Sequence, residues 1–162
     1  MRAFARHGAA VLSSDDVVHR LIAADGDVRA ALEDRFGTTD RGRIADVVFD
    51  DADELAWLER LLHPHVRREY RTWLDSVDND VAVVEVPLLY ETGAEELFDA
   101  VVVVTAPEKL RRARASVDVD RRSARLISDD EKVGRADFTY VNDGSLDDLD
   151  AFVRSVLERV RR

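Results

Sequence analysis

Two apolar runs dominate the hydropathy pattern, "VAVVEVPLL" (Val81–Leu89) and "AVVVVTA" (Ala100–Ala106). Both are β-branched and hardly alternate, which predicts strands buried on both faces in a parallel sheet covered by helices. "AAVLSSD" (Ala9–Asp15) and "FTYVND" (Phe138–Asp143) are shorter runs of the same kind. Helical periodicity fills the intervals. Asp51 and Glu54 read as a capping box opening "ADELAWLERLL", with Leu55, Leu58 and Leu62 on one face. Pro64 reads as the first turn of a new helix capped by His63, carrying Val66, Tyr70, Trp73, Leu74 and Val77. A last helix starts at Ser145 with Asp148 three residues on, and buries Leu149, Phe152, Val153, Val156, Leu157 and Val160.

Strands alternating with helices predict an α/β domain with a parallel sheet. The helical block at residues 16–79 is long for one crossover and is expected to cap the sheet edge. No repeat, low-complexity tract or linker interrupts residues 1–162, so a single domain with a helical insertion is expected.

Composition narrows the classes. The net charge of -10 argues against broad nucleic-acid binding, which needs surplus cations. The absence of cysteine removes disulfides, thiolate metal sites and a cysteine nucleophile. No apolar run approaches the ~20 residues that span a bilayer, and "MRAFARHGAA" lacks the apolar core of a secretory signal. A cytoplasmic setting without a membrane partner is expected. Arginines cluster at 111–125 within this otherwise acidic chain, and guanidinium groups suit phosphate. Solvated ion pairs with Asp118, Asp120, Asp129 and Asp130 account for most of them equally well. His63 and His65 flank Pro64, but no carboxylate or cysteine stands at ligand spacing with them, so no metal site is expected.

Ligands of open α/β sheets gather at the C-terminal strand ends. Those ends carry Ser13, Ser14, Asp15 and Asp16; then Pro87, Leu88, Leu89, Tyr90 and Glu91; then Thr105; then Asn142, Asp143 and Gly144. Read from the residues alone, this stretch fits two roles: Ser14 or Asp15 as a helix cap, or an aspartate placed to take a proton.

A family resemblance changes that reading. "FARHGAAVLSSDDVVHRL", "RFG", "DRGRIADVVF", "WLERLLHPHVR", "VPLLYETG", "DAVVVVTAP", "EKVGRADFTYVNDGS" and "LDDLDAFV" occur in the order seen in dephospho-CoA kinases. The chain resembles that family over nearly its whole length. The resemblance implies a P-loop NTPase fold of the nucleoside-monophosphate-kinase kind, with a helical insertion on the CoA side. It implies ATP-dependent phosphorylation of the ribose 3′-hydroxyl of dephospho-CoA, the last step of coenzyme A synthesis, with ATP and Mg2+ as cofactors and dephospho-CoA or CoA as partner.

By the same resemblance Asp15 accepts the hydroxyl proton, while Ser13 replaces a first aspartate. His19, where relatives commonly carry arginine, and Pro87, Leu88 and Leu89 face the acceptor. Residues 111–131 match the lid, with Arg114, Arg122 and Arg125 on phosphate. Leu126 stands where the family often has glutamine. Asn142 and Gly144 belong to a turn near adenine.

One expected part is missing from these 162 residues. Nothing reads G-x-x-x-x-G-K-[ST], the loop whose N–H groups, lysine and hydroxyl hold phosphates and Mg2+. "GTTDRGR" (Gly37–Arg43) lacks the lysine and follows a helical stretch. The match begins at the helix after that loop. The expectation is therefore a truncated chain of low activity, lacking a first strand that the family places between the counterparts of Val81–Val86 and Ala100–Thr105. A remnant serving as a CoA-type binding or regulatory module, and a P-loop kinase of another small metabolite, are the rival readings.

Overall fold

The structure, a computed structural model, describes residues 1–114 and 127–161. Contacts divide it into two compact units, one of Ala10–Glu85 and one of Arg2–Ala9 with Val86 onward.

In the first unit, β1 (Ala10–Ser13) pairs in parallel with β2 (Ala82–Glu85). The first helix, α1 (Arg2–Arg6), belongs to the second unit; four others connect these strands, α2 (Ser14–Ala24), α3 (Gly26–Phe36), α4 (Arg41–Asp50) and α5 (Ala52–Ser76). Each of the last three starts on an aspartate that caps it. The Asp25 side chain accepts from the N–H groups of Asp27 and Val28, Asp40 from Arg43, and Asp51 from Asp53 and Glu54. Gly37 ends α3 in the left-handed region, at φ 64°. Ile22, Val28, Leu32, Ile44, Val48 and Leu62 form a buried cluster, with Phe36 and Trp57 packed against it edge to face at 5.4 Å. The helical block thus carries its own apolar core.

Two expectations change here. Pro64 does not start a helix: it sits inside α5, which runs unbroken for 25 residues. Its ring removes one hydrogen-bond donor. Leu62, Val66 and Tyr70 nonetheless fall on one buried stripe across it, and that packing carries the helix through. Glu54 does not close a capping box either, since its carboxylate takes two hydrogen bonds from Arg35, at 2.7 and 2.9 Å.

In the second unit, β3 (Val102–Thr105) pairs in parallel with β4 (Phe138–Val141). Around them stand α1 (Arg2–Arg6), α6 (Glu108–Arg114), α7 (Asp129–Arg135) and α8 (Leu146–Val160). α8 starts after Ser145 as expected, and Ser145 and Asp148 form a capping box there. Its buried side is Val153, Val156 and Leu157, while Val160 is exposed because it lies in the last turn.

The strands are parallel, as expected, but form two two-stranded sheets. Among the described residues β2 and β3 each have a partner along one edge only. Neither holds a buried residue, and Val104 and Val141 are half-exposed, against the expectation of burial on both faces. The ladder of β2 stops at Glu85, short of the expected Leu89. Pro87 cannot donate, and N–H groups of Thr92 and Ala94 fold back onto the carbonyls of Leu88 and Leu89.

Candidate active site

Parallel register places Ser13 directly opposite Glu85 at the C-terminal ends of β1 and β2. The Ser13 hydroxyl donates to the Glu85 carboxylate at 3.0 Å. Ser14, the next residue, is the buried polar side chain of this region. Its hydroxyl donates to the main-chain carbonyl of Glu85 and pairs with the Tyr70 hydroxyl. A serine has one proton to give, so Tyr70 donates to Ser14. The Tyr70 hydroxyl is pushed above its ordinary value, chiefly by burial, with the charges of Asp15 and Glu85 adding to the effect. It therefore stays protonated and serves as a fixed donor.

This frame answers whether the serines and aspartates merely cap α2. Ser13 occupies the cap position and makes no side-chain bond to the helix, since its hydroxyl is spent on Glu85. Ser14 is spent on Glu85 and Tyr70. Asp15 and Asp16 stand exposed in the first turn, where negative charge favours the helix dipole. Asp15 is thus an exposed carboxylate on a rigid strand-to-helix corner, beside a neutral tyrosine and a second carboxylate.

His19 lies four residues after Asp15, on the same side of α2. It is exposed, and its Nδ1 accepts from the Arg41 guanidinium at 2.8 Å. Glu85, Tyr70 and Arg41 were not among the sequence candidates. The strand-end position of Glu85 was a readable signal. Tyr70 and Arg41 come from distant helices and carried none.

The remaining candidates belong to the second unit. Pro87 and Leu89 line a cleft of about 220 Å³ together with β3, Tyr90, Glu91, Asp129 and Lys132. Leu88 sets the turn there, its carbonyl accepting from the Thr92 N–H at 3.1 Å and hydroxyl at 2.8 Å. Burial pushes the Glu91 carboxyl up, but a 2.8 Å bond from Lys132 and backbone N–H donors outweigh it and hold it below the usual range. The Tyr90 hydroxyl and one oxygen of Glu91 are buried without a protein partner among the described residues. Asn142 extends the β4 ladder through its N–H to Thr105, at 2.7 Å. Gly144 sits against the α8 cap: a Cβ there would meet the Asp148 carboxylate at 2.7 Å. Arg114 ends α6. Arg122 and Arg125 lie outside the described residues, as does most of the segment 111–131 expected to match the lid. Arg111, at its start, pairs with Asp129 at 2.9 Å.

Among the described residues no group of three or more His, Asp or Glu side chains is placed to hold a metal ion. His65 is engaged otherwise, accepting from Arg68 at 3.0 Å and lying 3.6 Å from Asp25. No helix among them is long and apolar enough to cross a membrane.

The sequence model of dephospho-CoA kinase matches residues 1–148. This chain belongs to the dephospho-CoA kinase family. A dephospho-CoA kinase of Rhodopseudomonas palustris is 35% identical, with 98% of this chain and 87% of that protein aligned. One of Brucella melitensis is 36% identical over 90% of this chain and 80% of that protein. The crystal structure of TT1252 from Thermus thermophilus superposes with a TM-score of 0.77 at 31% identity, covering 98% and 88% of the two chains. A dephospho-CoA kinase from Campylobacter jejuni shares the fold, with a TM-score of 0.66 at 24% identity over 99% and 90%. The α/β fold with parallel strands is therefore that of dephospho-CoA kinases, a family of nucleotide-binding transferases.

Proposed function

We propose that this chain supplies the acceptor half of an ATP-dependent, cytoplasmic phosphorylation of the ribose 3′-hydroxyl of dephospho-CoA, with Asp15 as proton acceptor. The observation that carries the reading is the state of the β1–α2 corner. Asp15 is exposed, while the neighbouring serines are tied to Glu85 and Tyr70.

Phosphoryl transfer asks the protein for in-line positioning and charge stabilisation. The acceptor oxygen bonds to the γ-phosphorus as the bond to the β-bridging oxygen breaks, and the hydroxyl proton passes to the Asp15 carboxylate. ADP leaves with the bridging oxygen. The cation that the family places at residue 19 is offered by Arg41 through its bond to His19. Pro87, Leu88 and Leu89 wall the acceptor, and Arg114, Arg122 and Arg125 offset charge on the phosphates. Mg2+, when bound, neutralises phosphate oxygens. Asp15 and Glu85 are oxygen donors of the right kind, but the described residues do not assemble a ligand set for it, and no step here is assigned to it.

The phosphate cradle is the part these residues do not supply. No G-x-x-x-x-G-K-[ST] occurs in the 162 residues. We infer that they turn over weakly alone and strongly once a strand and glycine-rich loop are joined to them. In such a version, Asp15→Asn lowers turnover by about 10²–10⁴-fold and leaves ATP binding intact. Coupled ADP release with dephospho-CoA measures this. Near-normal turnover of Asp15→Asn returns Asp15 to a helix-start charge.

The second reading is a CoA-type binding module. Calorimetry separates the two: dephospho-CoA binding that persists without turnover, even in the loop-bearing version, supports the module. A panel of nucleoside and metabolite acceptors on that version detects a kinase of other specificity.

A further inference from the structure

The β1–α2 corner holds Glu85 twice. The Ser13 hydroxyl donates to its carboxylate at 3.0 Å, and the Ser14 hydroxyl donates to its main-chain carbonyl. β2 ends at this residue, level with Ser13, so the carboxylate stands where ligands of open α/β sheets gather. It is exposed, as is Asp15 in the first turn of α2. Burial first, and then the charges of Asp15 and Glu85, push the Tyr70 hydroxyl up, so both carboxylates lie near one atom. All of these residues belong to the unit of Ala10–Glu85.

The corner turns acceptors outward and donors inward. An ionised carboxylate only accepts hydrogen bonds. The nearby hydroxyl protons are already engaged: Ser13 on the Glu85 carboxylate, Ser14 on the Glu85 carbonyl, Tyr70 on Ser14. Ser13 takes one oxygen of the Glu85 carboxylate. Among the described residues the other oxygen has no protein partner, and the Asp15 carboxylate accepts from none. Nor does any cation among them stand at ion-pair distance from either carboxylate. Like charges at one corner oppose ionisation of both, and no contact in the fold offsets that cost. A local rule broken without a compensating gain marks a functional position.

A ligand suited to this corner donates twice from adjacent atoms. A phosphate brings acceptors and negative charge, so it does not fit. A ribose brings two vicinal hydroxyls, each with a proton to give. Carboxylates at strand ends grip ribose hydroxyls in this way in dinucleotide-binding sheets.

We propose that Glu85 is a specificity-determining residue that accepts a hydrogen bond from the ribose 2′-hydroxyl of the acceptor while Asp15 faces the 3′-hydroxyl. The proposal rests on the functional reading above and adds a second contact to it. It gives the chain a means of choosing between two similar hydroxyls. Glu85 is fixed on β2 by Ser13 and Ser14, so the hydroxyl it holds sets which neighbour meets Asp15.

The test is calorimetric titration of the whole chain with dephospho-CoA and with its 2′-deoxyribose analogue, in a chelating buffer and again with Mg2+. The parent is expected to bind dephospho-CoA about tenfold or more tighter than the analogue, the effect of one hydrogen bond to a charged group. Glu85→Ala is expected to abolish that preference, and Glu85→Gln, whose amide oxygen still accepts, to keep part of it. Both variants should match the parent in circular dichroism, because Ser14 bonds to the main chain of residue 85. The comparison of the two ligands on the parent needs no variant. A parent that binds them equally overturns the role of Glu85 and leaves the functional reading standing. Equal weakening of both ligands by Glu85→Ala assigns Glu85 to structure and also overturns it. A preference seen only with Mg2+ assigns Glu85 to the cation, with the same result. If the parent binds neither ligand, the functional reading falls and the role of Glu85 falls with it.

Discussion

The two units hold their strand ends by different means. In the unit of Ala10–Glu85, uncharged donors do the work: Tyr70 to Ser14, Ser14 to the Glu85 carbonyl, Ser13 to the Glu85 carboxylate. Behind them lies a fully apolar helical cluster in which Val28 and Leu32 are 0% exposed. In the unit from Val86 onward, ion pairs surround the strands: Glu91 with Lys132, Glu95 with Arg135, Asp129 with Arg111, Asp150 with Arg6 and His7. Its largest apolar stripe is one face of α8. The lesson is a division of labour. The uncharged frame leaves Asp15 exposed, and charge is the structural device of the second unit.

The sharpest way to break that comparison is to remove apolar volume from the first unit. Leu32→Ala deletes a fully buried side chain, and such changes lower stability by about 2–5 kcal/mol. Trp57 packs against that cluster, so urea unfolding followed by tryptophan fluorescence reads the effect. A loss within about 0.5 kcal/mol, the range of surface changes, would show that the cluster is not what holds the unit. Next comes Lys132→Met in the second unit. Glu91 and Lys132 are 13% and 18% exposed, so the lost partner leaves a largely sheltered carboxylate. Hydrogen bonds to charged groups contribute about 1.5–3 kcal/mol, and adding Glu91→Gln should recover part of the loss. A silent Lys132→Met would mean that the pair is ordinary surface charge.

Tyr70→Phe is expected to have a smaller effect, about 0.5–1.5 kcal/mol for one neutral hydrogen bond. It leaves Ser14 its acceptor in Glu85. Ser14→Ala and the double variant complete a cycle. Coupling above about 0.5 kcal/mol supports the shared network, and simple additivity argues against it.

The same contrast explains what could be read from the sequence. Strand and helix identities were legible because periodicity and caps are local: the apolar run that forms β1 and the Ser145 start of α8 are read from neighbouring residues. Pro64 misled because local chemistry predicts a break, while packing of Leu62, Val66 and Tyr70 across it decides otherwise. The split into two sheets was not written in either strand, since "AVVVVTA" has the composition of an interior strand whatever lies along its edge. At the candidate site, Asp15 was singled out through the resemblance. Its setting depends on Tyr70, 56 residues away from Ser14, and that of His19 on Arg41, contacts that only folding brings together. Gly144 was read as a ligand turn, and the structure adds a packing cause, the Asp148 carboxylate against its Cα.

Acid gives the mildest and most general test of the comparison. In the second unit three carboxyls lie below their ordinary range. Asp148 is lowered by the backbone N–H and hydroxyl of Ser145, Asp150 by His7 and then Arg6, and Glu91 by Lys132 against the upward push of burial. In the first unit Asp25 is lowered, by the Val28 N–H first and by His65 and Arg68 after it. A carboxyl depressed in the folded state favours folding above its unfolded value, 3.8 for aspartate and 4.5 for glutamate. That contribution disappears as pH falls through the depressed folded value. Acidification from neutral pH through that window should therefore loosen the second unit before the first. Both tryptophans, Trp57 and Trp73, lie in the first unit, so their fluorescence reports it selectively while far-ultraviolet circular dichroism reports both. The expected result is a fall in helical signal that precedes the change in tryptophan emission, with the gap narrowing in high salt as the exposed pairs are screened. Coincident transitions at low salt would mean that the units unfold together and that their different ways of holding strand ends do not translate into different stabilities.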